Sequence, residues 1–144
     1  MPKKILIIDD DRDTVDFVER ILEDHGYEGI GSLSSASALD TIRAEKPDLI
    51  LLDLFMPEKS GISLFRELKA DPELEHIPVI VASGIPQVAG IDVSAFIGRE
   101  AETSKISNSR VSRSPEGVVN KPIEPDMLIG LIREITSQGD LYRR

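Results

Sequence analysis

Asp9, Asp10 and Asp11 stand consecutively behind four apolar residues in the stretch ILIIDDDRD. Adjacent carboxylates repel one another, and partial burial makes each ionised form costlier. A helix N-terminus, a bound cation or open solvent would offset that cost. A fourth carboxylate, Asp53, ends the run DLILLD; Ser83 ends IPVIVAS, and Lys121 follows GVVN. Carboxylates grouped in this way suit Mg²⁺, which takes a few of them and keeps several waters. A cation there would also cancel the repulsion that crowds the aspartates. The lysine is a point charge for an anion, and a serine hydroxyl donates to an anion's oxygen. An aspartate beside Mg²⁺ can attack phosphorus and form an acyl phosphate. Singly, each residue has a plainer role: helix cap, loop aspartate, strand-end hydroxyl, solvated lysine.

The elements needed to bring these residues together can be read from periodicity. KILII (4–8), YEGIG (27–31), DLILLD (48–53), IPVIVAS (77–83) and GVVNKP (117–122) are short apolar or β-branched runs, the pattern of strands. Between them, Val15, Phe17, Val18, Ile21 and Leu22 recur at helical spacing until His25-Gly26 stops them. Leu39 and Ile42 mark a second helix, with serines 34, 35 and 37 as N-caps and Pro47 beyond its end. Leu64, Phe65 and Leu68 mark a third, and Met127, Leu128, Leu131, Ile132 and Ile135 a last one. Alternation of strands and helices implies a five-stranded parallel sheet wrapped by helices. In such α/β sheets ligands bind beyond the carboxyl ends of the strands, where Asp9, Asp10, Asp53, Ser83 and Lys121 all fall. The stretch from Ser83 to Lys121 exceeds a single helical crossover. Its serine-rich, locally basic part, about 103–116, is expected to be a mobile insertion.

Composition narrows the function further. The 144 residues contain no cysteine, which excludes thiol chemistry and Cys-based zinc sites, and carry a net charge of −9. That charge argues against direct nucleic-acid binding, and no apolar run is long enough for membrane insertion. A cytoplasmic location is expected. His25 and His76 lie apart in sequence, each beside a loop-like stretch, and are expected at the surface.

ILIIDDD, LLDLFMPEKSG, PVIVASG and NKP together resemble the response-regulator receiver domain of two-component signalling, over residues 3–136 apart from the insertion. The most specific piece is D-x-x-M-P-x-x-x-G at Asp53–Gly61. The resemblance implies a doubly wound, flavodoxin-like α/β fold of strand order 2-1-3-4-5. It implies one receiver domain over 1–137, and residues 138–144 are expected to be a C-terminal tail. It makes Asp53 the acceptor of a phosphoryl group from a histidine kinase or phosphotransfer protein. Asp10 would ligate Mg²⁺ directly and Asp9 mostly through water, the backbone carbonyl of Phe55 completing the set. Ser83 would hold a phosphoryl oxygen, and Lys121 would pair with the phosphoryl charge. The output would be altered binding of a downstream protein partner that the sequence does not name. Asp11 matches no family role and is better read as a helix cap.

Three departures bear on that output. Val118 stands at the switch position where the family carries Tyr or Phe, SRSPEG replaces a Gly-Ala-rich stretch, and the insertion occupies the region of the family's fourth helix. Val118 and the insertion motivate an alternative, an adapter that binds its partner regardless of phosphorylation. A haloacid-dehalogenase-like phosphohydrolase fits less well. Asp9 and Asp11 supply its D-x-D, but Asp13 stands where Thr or Val belongs, and Phe55 replaces the second carboxylate after Asp53.

Overall fold

Every expected strand forms, and all five run parallel. In the computed structural model, which describes residues 3–54, 56, 60–83 and 115–142 (the side chains of Ser83 and 138–142 excepted), β1 spans Lys4–Ile8 and α1 Arg12–Asp24. β2 (Glu28–Ser32), α2 (Ala38–Glu45), β3 (Leu49–Asp53), α3 (Gly61–Ala70) and β4 (Val79–Ser83) follow. The chain closes with β5 (Gly117–Asn120) and a C-terminal helix, α4 (Pro125–Tyr142). Strand order is β2-β1-β3-β4-β5, with Leu6 opposite Ile50, Leu52 opposite Val81 and Ser83 opposite Asn120.

Side chains of a strand alternate between faces, so each central strand feeds two cores. Ile5, Ile7, Leu49, Leu51, Ile80 and Val119 pack with Val15, Val18 and Leu22 of α1 and with Leu128 and Ile132 of α4. Leu6, Ile8, Ile50, Leu52, Val79 and Val81 pack with Ile42 of α2 and Leu64, Phe65 and Leu68 of α3. Burial on both faces explains the unbroken apolar runs. Phe17 departs from the helical pattern, for it lies off the buried stripe of α1 and is 48% exposed. Gly26, at φ 84°, sits in the left-handed region that ends α1, and the amides of His25, Gly26 and Tyr27 satisfy its last carbonyls.

The helix α4 continues to Tyr142, into the segment expected as a tail from 138. Most of the stretch expected to be a mobile insertion lies outside the described residues. Its end does not: Glu116 is bonded through both main chain and side chain, so it belongs to the sheet edge. Both histidines are exposed. Among the described residues, no helix is long and apolar enough to cross a membrane.

Candidate functional site

The three consecutive aspartates have three different fates. Asp9 extends the β1 ladder, its amide donating to the Ser32 carbonyl at 3.1 Å, and is buried at 2% exposure. Its Oδ1 accepts from the Asp11 amide at 2.9 Å and its Oδ2 from Lys121 Nζ at 2.8 Å. Asp10 is exposed. Asp11 caps α1 as expected, Oδ1 accepting from the Asp13 amide at 3.2 Å and Oδ2 from Thr14 Oγ1 at 2.7 Å. The Thr14 bond, opposed by partial desolvation and helped by the Asp13 amide, holds the Asp11 carboxyl below its ordinary range.

Asp53 ends β3 at 5% exposure, and its Oδ2 lies 3.5 Å from Lys121 Nζ. The glycine closing the D-x-x-M-P-x-x-x-G stretch has a steric cause. A Cβ on Gly61 would meet the Asp53 carbonyl oxygen at 2.0 Å and the Leu54 Cα at 2.6 Å. Glycine therefore lets the first turn of α3 rest on the end of β3, and the Gly61 amide donates to the Leu54 carbonyl at 2.9 Å. Ser60 caps that helix by accepting from the Ser63 amide. Met56 is buried in the core on the α2–α3 face.

Carboxylate oxygens of Asp9, Asp10 and Asp53 all lie within 4.8 Å of one another. Two ligands on opposite sides of Mg²⁺ stand about 4.2 Å apart, so the all-oxygen set fits that ion with one ligand reached through water or a small side-chain adjustment. Among the described residues, the Lys121 ammonium pairs with two of this trio, Asp9 and Asp53. Desolvation works to lower the Lys121 pKa, but the hydrogen bond to Asp9 and the charges of Asp53 and Asp9 outweigh it, and the net shift is upward. Lys121 is thus firmly a cation, with partners already in place.

The fold therefore gathers Asp9, Asp10, Asp53 and Lys121 at one sheet edge. The backbone of Ser83 ends β4 at that same edge, opposite Asn120. Phe55 lies outside the described residues. Val118 is partly buried against the α2–α3 core. Sequence brought Lys121 to the aspartates' edge as a partner for phosphoryl charge, but did not foresee its direct pairing with Asp9. It also missed a buried lysine, Lys69, which pairs with Glu116 at the opposite sheet edge. The signal for it was a charge four residues after Phe65 on the apolar stripe of α3.

Comparison with known proteins gives a consistent picture. Residues 5–103 match the family described as the response regulator receiver domain. The chain is 41% identical over 105 residues to the polar-differentiation response regulator DivK of Brucella anthropi, which covers 73% of this chain and 85% of that protein. Among solved structures it resembles a CheY-like response regulator receiver domain protein from Methanospirillum hungatei (TM-score 0.75, 24% identity, 99% of both chains), a likeness of fold. It also resembles NtrX from Brucella abortus (TM-score 0.74, 28% identity), covering 99% of this chain and 29% of that longer one.

Proposed function

Because the chain belongs to the response-regulator receiver family of two-component signalling, whose members are signalling proteins and not conventional enzymes, we propose that it takes a phosphoryl group onto Asp53 from a phosphohistidine partner. The observation that carries this is the buried Asp53 carboxylate, grouped with those of Asp9 and Asp10 and 3.5 Å from the Lys121 ammonium. In the transfer an Asp53 oxygen bonds to phosphorus while the phosphorus–nitrogen bond of the phosphohistidine breaks. The imidazole keeps the electron pair and takes up a proton. Later hydrolysis joins a water oxygen to phosphorus and returns the free carboxylate, with phosphate and a proton released.

Asp9, Asp10, Asp53 and the Phe55 carbonyl would hold Mg²⁺, which when bound neutralises negative charge between carboxylates and phosphoryl oxygens. Lys121 is drawn toward the incoming phosphoryl charge from its present pairs, Ser83 donates to a phosphoryl oxygen, and the result is a change in which protein the chain binds. A cytoplasmic location belongs to the same reading. The phosphohydrolase alternative loses support because Asp11, half of its D-x-D, is spent on capping α1. The adapter alternative keeps its motives, the valine at position 118 and the insertion, most of which lies outside the described residues.

Mass spectrometry after incubation with acetyl phosphate and Mg²⁺ tests the proposal. A single added phosphoryl group in the wild type, absent from Asp53→Ala, is expected. An unmodified wild type, or a modified Asp53→Ala, would overturn it.

A further inference from the structure

Lys69, on the last turn of α3, is only 5% exposed. Its ammonium donates to Glu116 Oε1 at 2.9 Å and to the carbonyls of Ile77 at 3.2 Å and Glu75 at 3.4 Å, three acceptors for three protons. The other oxygen of Glu116 accepts from the Val79 amide at 2.7 Å, while the Glu116 amide donates to the Val79 carbonyl at 2.9 Å. Both hydrogen-bonding groups of Val79 are thus taken by one residue. The carboxylate stands where a parallel ladder would bring the next main-chain carbonyl of β5.

β5 needs such a device. It has four residues, ends the described strand order and, among the described residues, pairs with β4 alone. Its centre is Val118-Val119, so after a slip by one residue only one of the two positions still holds valine, while the other receives Asn120 or Gly117. Gly117 resists a slip because a Cβ there would come within 2.4 Å of Leu131 Cδ2, but that neighbour is the tip of a flexible side chain. A one-residue slip moves the strand by about 3.3 Å. That is as long as the contacts holding Lys121, which lies just beyond the strand, to Asp9 and Asp53.

We infer that Lys69 and Glu116 form a register clamp at one end of the sheet that positions Lys121 at the other. Both are positioning residues, since neither touches the acidic site. The bearing of the clamp on phosphoryl transfer rests on the receiver reading above, whereas the placement of Lys121 does not.

The test therefore uses the full chain without phosphodonor or metal ion. Nuclear magnetic resonance of the lysine ammonium nitrogens, with Lys121 assigned through Lys121→Arg, reports its pairing directly. The wild-type Lys121 signal should stand apart from those of solvent-exposed lysines. In Glu116→Ala it should move most of the way toward them while the fold persists. Lys69→Met with Glu116→Ala, which leaves no orphaned buried charge, should show the same displacement. An unmoved Lys121 signal in either folded variant overturns the inference. Should neither variant fold, the wild type decides, by hydrogen exchange in rising sub-denaturing urea. The Val79 amide and the Lys121 signature should be lost in one opening event, and separate openings overturn the clamp.

Discussion

Two lysines at opposite ends of one sheet show how a self-contained ion pair differs from one set in an acidic cluster. At the amino end, Lys69 has one carboxylate partner and two carbonyls, and every proton is used. At the carboxyl end, Lys121 pairs with Asp9 and Asp53, whose oxygens lie within 4.8 Å of those of Asp10, so among the described residues three carboxylates gather around one ammonium. Burial is similar at Lys69 and at the aspartates Lys121 pairs with, so burial alone does not separate the two sites. Charge stoichiometry does. A satisfied pair has nothing left to bind, whereas an excess of carboxylate over ammonium is stabilised by gaining a cation.

The contrast can be broken in five ways, the largest effect first. Asp53→Ala should abolish phosphoryl incorporation from acetyl phosphate, read by intact-mass measurement, and leave the Lys69 end untouched. Lys69→Met should lower unfolding stability by about 1.5 kcal/mol, the scale for hydrogen bonds to a charged group when the partner, Glu116, stays at the surface, as measured by urea denaturation. A loss near zero would mean that the amino-end pair is idle. Asp10→Ala should weaken Mg²⁺ binding by at least about tenfold, the loss seen even for outer-shell partners of a metal, in calorimetric titration. The same change should raise metal-free stability, because it relieves repulsion. Lys121→Ala should tighten Mg²⁺ about fivefold, roughly 1 kcal/mol of removed cation–cation repulsion, while destabilising the metal-free protein whose Asp9 loses its partner. The sequence alone points to no change here, so this measurement separates the two expectations.

The smallest effect sharpens the role of Asp11, the one aspartate of the trio that belongs to the fold and not to the site. Its folded pKa is depressed, so its contribution to stability is fully present above the ordinary carboxylate range and is lost as pH falls through the lower folded value. Asp11→Asn should therefore flatten the acid limb of a stability–pH curve slightly without changing Mg²⁺ affinity at neutral pH. A fall in that affinity would move Asp11 into the site.

Much of this was legible in the residues themselves. Continuous apolar runs announced strands buried on both faces, and helical spacing announced α1, α3 and α4. The carboxylates, serine and lysine all sat just past strand ends, so a parallel sheet had to bring their backbones to one edge. Less legible were the features that depend on a side chain's surroundings. Phe17 shares the apolar character of its neighbours yet lies off the stripe, because helical rotation and not composition decides exposure. The strand bounds moved by up to two residues, since ladder hydrogen bonds and not hydrophobicity end a strand.

By itself the sequence determined the parallel α/β plan, the sheet edge that carries the chemistry and the residue types available there. Those are matters of local periodicity, and periodicity is written along the chain. Only the tertiary structure decided which charge meets which. Lys121 is 112 positions from Asp9 and Glu116 is 47 from Lys69, separations at which spacing carries no information on distance. The division of three adjacent aspartates into a buried partner, an exposed carboxylate and a helix cap was decided there as well. It follows from where β1 ends and α1 begins, and from the lysine that β5 delivers between them.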